Sequence, residues 1–139
     1  MRRTADRIRH AVSFELLGLI LVAPLGAWAF DLPVESIGLT ALGSTAIAMV
    51  WTYGYNLAFD HAALRLLGRV RKSLRGRILH AVLFELGLTT ILVPFMAWYL
   101  TLPLIEALAM DVSFTLFYLL YSFGFNWAYD LIYPLPSGA

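Results

Sequence analysis

Residues 7–33, RIRHAVSFELLGLILVAPLGAWAFDLP, return at 77–103 as RILHAVLFELGLTTILVPFMAWYLTLP, and the fold follows from what the two strings share. Each opens on arginine, enters an apolar run interrupted by a single glutamate, and closes on Leu-Pro. A helix crossing a hydrocarbon layer of roughly 30 Å needs about 20 apolar residues, and the runs at 11–30 and 79–100 meet that requirement. Two more, 37–59 and 105–129, follow them directly. The turns at Leu32-Pro33 and Leu102-Pro103 are too short for anything but helical hairpins. The expected fold is all-α and integral to the membrane: four transmembrane helices as two tandem parallel helical hairpins, residues 1–69 and 70–139, within one transmembrane domain.

Composition agrees. Of 139 residues, 60% are apolar and 14% charged, against about a quarter charged in soluble domains, so a soluble globular domain is excluded. A chain without cysteine has no disulfide framework and no thiolate nucleophile, and three histidines leave little for a metal cluster. Neither metal nor cofactor is expected. The net charge of +1 predicts no nucleic-acid partner.

The ten cationic residues fall in two places. Arg2, Arg3, Arg7 and Arg9 precede the first run; Arg65, Arg69, Arg71, Lys72, Arg75 and Arg77 separate the second from the third. Under the positive-inside rule both termini and the central loop lie in the cytoplasm. The basic start and the triplet Ala27-Trp28-Ala29 also resemble a secretory signal peptide. The length of the run, Glu15 within it and its recurrence in mid-chain argue against that reading.

A shift of 70 residues aligns the halves without a gap. It matches Arg7, His10, Phe14, Glu15, Pro24 and Trp28 with Arg77, His80, Phe84, Glu85, Pro94 and Trp98, and Gly54, Asn56 and Asp60 with Gly124, Asn126 and Asp130. A bias toward Leu and Ala does not pair polar residues in this way. Each copy contains two spans, so both enter from the same side and the repeat is parallel. A parallel repeat does not by itself offer alternating access, and a homodimer is expected.

Glu15 and Glu85 stand about one turn inside their spans, on the order of 6 Å below the boundary at 1.5 Å per residue. A carboxylate at the centre of a membrane helix costs about 2.5–3.5 kcal/mol, and somewhat less near its edge. An acid whose charge is that costly is suited to take up and release protons. Two-fold symmetry should gather Glu15, Asn56 and Asp60 with Glu85, Asn126 and Asp130 in one cytoplasmic layer. The competing structural reading pairs these acids with Arg7, Arg77 or the histidines at the membrane edge. Asp111, deeper from the other side, faces Ala41 in the repeat register and receives no role from the sequence. The second and fourth spans are dense in aromatics, among them Trp51, Tyr55, Tyr121 and Trp127. Such rings serve as interfacial anchors and packing elements, and beside buried acids their faces also attract organic cations.

The strings RIRHAVSFE (7–15), WTYGYNLAFD (51–60), RILHAVLFE (77–85) and YSFGFNWAYD (121–130) resemble the motifs of the proteobacterial antimicrobial compound efflux family, in order and over most of the chain. The resemblance implies a four-helix inner-membrane transporter that exports cationic biocides such as chlorhexidine, dyes and quaternary ammonium compounds, or short diamines, in exchange for protons. It implies that Glu15 is the acid linked to transport, and that Asn56, Asp60, Glu85, Asn126 and Asp130 hold motif positions. Thr52 stands where family members commonly have Asn. The expected function is therefore proton-coupled efflux of hydrophobic or polyvalent organic cations, without enzyme chemistry. A non-transporting membrane scaffold or a small channel is the alternative.

Overall fold

Apolar runs long enough to span lipid, flanked by good helix formers such as Arg, Leu and Ala, fold as helices because lipid offers no other partner for backbone polar groups. The computed structural model describes residues 3–68 and 73–134. Arg2, Arg69, Arg71 and Lys72 lie outside the described residues. The elements are helices α1 (Thr4–Phe30), α2 (Val34–Leu67), α3 (Leu74–Leu100) and α4 (Leu104–Ile132), with no strand among the described residues. All four are long and apolar enough to cross a membrane, and the chain is a multi-pass membrane protein.

The helices outrun the apolar runs. Helix α1 already starts at Thr4, and α2 continues past Asp60 and Arg65 to Leu67. Hydropathy marks where lipid ends, whereas backbone hydrogen bonding continues into water as long as the residues favour it. Helix α3 begins at a true cap, where the Ser73 hydroxyl accepts from the Gly76 amide at 3.2 Å.

Both hairpin turns have one geometry, without glycine. Asp31 (φ 53°) and Thr101 (φ 54°) are left-handed, and their amides donate to the carbonyls of Ala27 and Ala97. The next amides, of Leu32 and Leu102, donate to the same carbonyls at 3.2 and 3.0 Å. This closes the last turn of α1 and α3. The Pro33 and Pro103 carbonyls then accept from Ile37 and Ala107, starting the following helices.

The chain forms two compact units, Leu42–Asp111 and a second composed of Met1–Ala41 with Val112–Ala139. The unit containing α1 has Ile37 fully buried; a Cβ on Gly26 would lie 2.7 Å from its Cγ2, so this glycine sets how closely the hairpin arms approach. In Leu42–Asp111, a Cβ on Gly43 would likewise lie 2.9 Å from Phe95 Cζ, and Leu92, Met96 and Met110 are buried. Most large apolar side chains, Ile20, Val50, Leu86 and Leu119 among them, remain exposed, as lipid as solvent permits.

Candidate functional site

In the unit built on α1, the start of that helix packs against the last turns of α4. The His10 Nε2–H donates to Asn126 Oδ1 at 2.8 Å, and the ring stands edge-on to Phe125 and Tyr129, with centroids at 5.2 and 4.7 Å. In Leu42–Asp111 the arrangement recurs between α3 and α2. His80 Nε2–H donates to Asn56 Oδ1 at 3.0 Å, edge-on to Tyr55 (4.9 Å) and Phe59 (4.6 Å). Each histidine is therefore held by the asparagine of the other repeat, and the two cages use matched positions 55/125 and 59/129. Asn56 Nδ2 donates to the Thr52 carbonyl at 2.8 Å, fixing the amide, while the Thr52 hydroxyl donates to Ala48 within its own helix. The departure at Thr52 leaves the cage intact.

One turn further along, Tyr121 Oη donates to the Phe14 carbonyl at 2.7 Å and Trp51 Nε1 to the Phe84 carbonyl at 3.2 Å. These too are matched positions. A helical carbonyl is reachable by a second donor where the next turn lacks a side chain, and glycine supplies that gap in both places. A Cβ on Gly18 would lie 3.1 Å from Tyr121 Cε1, and one on Gly87 would overlap the Trp51 indole.

Glu15 follows Phe14 directly. It is half-buried, within electrostatic reach of the Tyr118 and Tyr121 rings, and among the described residues it takes part in no ion pair. The wall opposite is aromatic: Tyr121 lies 4.8 Å from Phe14 and stacks on Phe117 at 5.6 Å. Glu85, its repeat counterpart, is exposed on α3. The two acids thus occupy the same motif position in different surroundings.

Between α2 and α3 an apolar groove of about 650 Å³ is lined by residues that include Val50, Trp51, Gly54, Tyr55, Ala58 and Ile91, with no charged side chain. Trp51 stacks on Tyr55 at 5.4 Å along it. Asp60 is half-buried near the end of α2, and Asp130 is exposed on α4. Trp127 is 66% exposed and makes no ring contact among the described residues.

Two features escape a reading by sequence alone. Arg9 pairs with Asp6, donates through Nε to Tyr129 Oη at 3.0 Å and lies 3.8 Å from the Tyr133 ring centroid. The Tyr129 hydroxyl donates to Asp6 Oδ1 at 3.0 Å. The signal was present as departures from the repeat, since Gly76, Leu79 and Phe59 stand at the matched positions. The other is the contact of Thr89 with Asp111, in which Thr89 Oγ1 donates at 3.3 Å.

The chain matches a family model described as chlorhexidine efflux transporter twice, over residues 2–65 and 72–135, which agrees with tandem hairpins. A short-chain diamines transporter of Vibrio parahaemolyticus is 38% identical over 131 residues, covering 93% of this chain and 91% of the relative. Short-chain diamines transporters of Acinetobacter baylyi and Acinetobacter baumannii are 30% and 31% identical over 126 residues, covering 91% of this chain and 88% and 86% of their own lengths. No solved structure matches the chain.

Proposed function

Because the chain belongs to the chlorhexidine efflux transporter family, we propose that it exports hydrophobic or polyvalent organic cations, or short diamines, in exchange for protons, with Glu15 as the coupling acid. The observation that carries this reading is Glu15 itself. Half-buried in a spanning helix, against aromatic rings and in no ion pair among the described residues, its carboxyl is available to a proton or to a cationic guest.

Competition for that carboxyl converts a proton gradient into cation movement. Protonation from outside neutralises Glu15 and releases the cation, and loss of the proton to the cytoplasm restores the site. The faces of Trp51, Tyr55 and Tyr121 attract positive charge and pack apolar rings. Asp60, Asp130 and Glu85 add negative potential along the approach, and Trp127 adds an aromatic surface near the motif end of α4. The His10–Asn126 and His80–Asn56 pairs hold the helices that carry these groups. With the basic segments in the cytoplasm, the protein sits in the bacterial inner membrane with both termini inside, and acts as a homodimer.

Titrating a cationic dye and a short diamine against purified protein across pH tests this reading. The proton competes with the cation, so affinity rises with pH, by up to about tenfold per unit for exchange of one proton. In Glu15→Gln binding is weak and flat with pH. Equal, pH-independent binding by both proteins would instead favour a scaffold or a different site.

A further inference from the structure

The mechanism just given leaves one buried titratable group without a task. Asp111 lies about two turns into α4, on the order of 10 Å along the helix from its start at Leu104, and is 5% exposed. The Thr89 hydroxyl of α3 donates to its Oδ2 at 3.3 Å. At the matched positions of the first repeat stand Leu19 and Ala41. Both halves of the polar pair are thus peculiar to the second repeat, in a protein whose other motif residues recur.

A single hydroxyl does not compensate a carboxylate for the loss of water in a hydrocarbon layer. No cation stands near along the chain. In Leu42–Asp111 the described cations Arg65, Arg75 and Arg77 lie at the opposite, basic end of α2 and α3. The acids nearest the pair on its own helices are Glu106, in the first turn of α4, and Glu85, one turn before Thr89 on the same face of α3. Residues 42–50 of α2 contain no titratable side chain. Such an acid is placed to hold a proton rather than a counter-ion, and Thr89 connects it by one hydroxyl to the face of α3 that carries Glu85.

We infer that Asp111 is a second proton-binding site, loaded and emptied in each transport cycle, so that a doubly charged amine leaves in exchange for two protons. The inference rests on the exchange proposed above and adds its charge balance. Two positive charges move out and two move in, so the cycle is indifferent to membrane potential. With Glu15 alone, each cycle would carry one net positive charge outward.

The full-length protein in proteoliposomes, with the potential clamped by valinomycin and potassium, is given a short diamine and a pH gradient, and proton and diamine fluxes are recorded together. The parent is expected to move about two protons per diamine, at a rate unaffected by potential. Asp111→Asn is expected to move about one and to become potential-dependent, and Asp111→Glu to restore the parent's behaviour. A parent ratio near one, or an Asn variant with the parent's ratio, overturns the inference. Infrared difference spectra of the purified proteins across pH separate this from failure of the exchange reading itself. A protonated-carboxyl band present in the parent is to be absent in Asp111→Asn and shifted in Thr89→Val, which retains the acid but loses its donor. Spectra unchanged in both variants overturn the site whatever the fluxes show, whereas the expected spectra with no proton flux in the parent would fault only the exchange reading.

Discussion

Glu15→Gln is expected to reduce pH-gradient-driven export of organic cations about a hundredfold while leaving the helical content and detergent stability of the protein unchanged. Glutamine fills the same volume beside Phe14, Tyr118 and Tyr121 and breaks no ion pair among the described residues, so the fold has little reason to respond. What disappears is the charge. A cation about 4 Å from a carboxylate gains up to about 4 kcal/mol at an effective dielectric of 20, and a hundredfold loss, about 2.7 kcal/mol, lies well inside that bound. The variant also loses the proton that competes with the cation at this position, so protonation no longer drives release of what still binds there. Glu85→Gln is the comparison: on an exposed face of α3, its removal is expected to change export by no more than a few-fold. Equal losses in the two variants, measured by fluorescent-cation efflux from proteoliposomes, would mean that the motif position rather than its surroundings sets the role.

The second large effect is structural. Gly87→Ala places a methyl group inside the space of the Trp51 indole. The ring is rigid, donates to the Phe84 carbonyl and stacks on Tyr55, so it yields only by rotating out and giving up both contacts. Overpacking costs about 1–3 kcal/mol, and loss of the hydrogen bond adds about 1 kcal/mol. Alanine's better helix propensity returns about 1 kcal/mol, so the net cost is about 1–3 kcal/mol. Thermal unfolding in detergent should show a clear drop. Gly54→Ala is the control, since a Cβ there meets nothing within 4 Å, and it should leave stability unchanged or raise it by up to about 1 kcal/mol. A Gly87→Ala protein as stable as the parent, with unaltered tryptophan fluorescence, would contradict the tight seating of Trp51.

The contrast between these glycines shows what a sequence does and does not disclose in a membrane protein. Four apolar runs and two Leu-Pro turns suffice for the helices because lipid admits few other solutions. Helix ends do not follow from hydropathy, which is why α1 starts at Thr4 well before the first apolar run. Gly54 and Gly87 look alike as letters, and only the packing of α2 against α3 reveals which one holds a ring. The repeat made the histidine and asparagine positions visible as a set, yet which asparagine each histidine bonds depends on pairing across more than a hundred residues in the case of His10 and Asn126. Local periodicity contains no record of such pairing. Thr89 and the Arg9, Asp6 and Tyr129 cluster were hidden for a related reason: they break the repeat, and a departure acquires meaning only once its partner is seen beside it.

Proton release on cation binding is the most direct test of competition at Glu15. By linkage, a guest that displaces a proton must liberate it, whatever the conformational changes that follow. Adding a saturating short diamine to weakly buffered, purified protein at mildly acidic pH should acidify the solution with the parent and leave it unchanged with Glu15→Gln. Binding by the parent without acidification, or equal acidification by both proteins, would contradict the account.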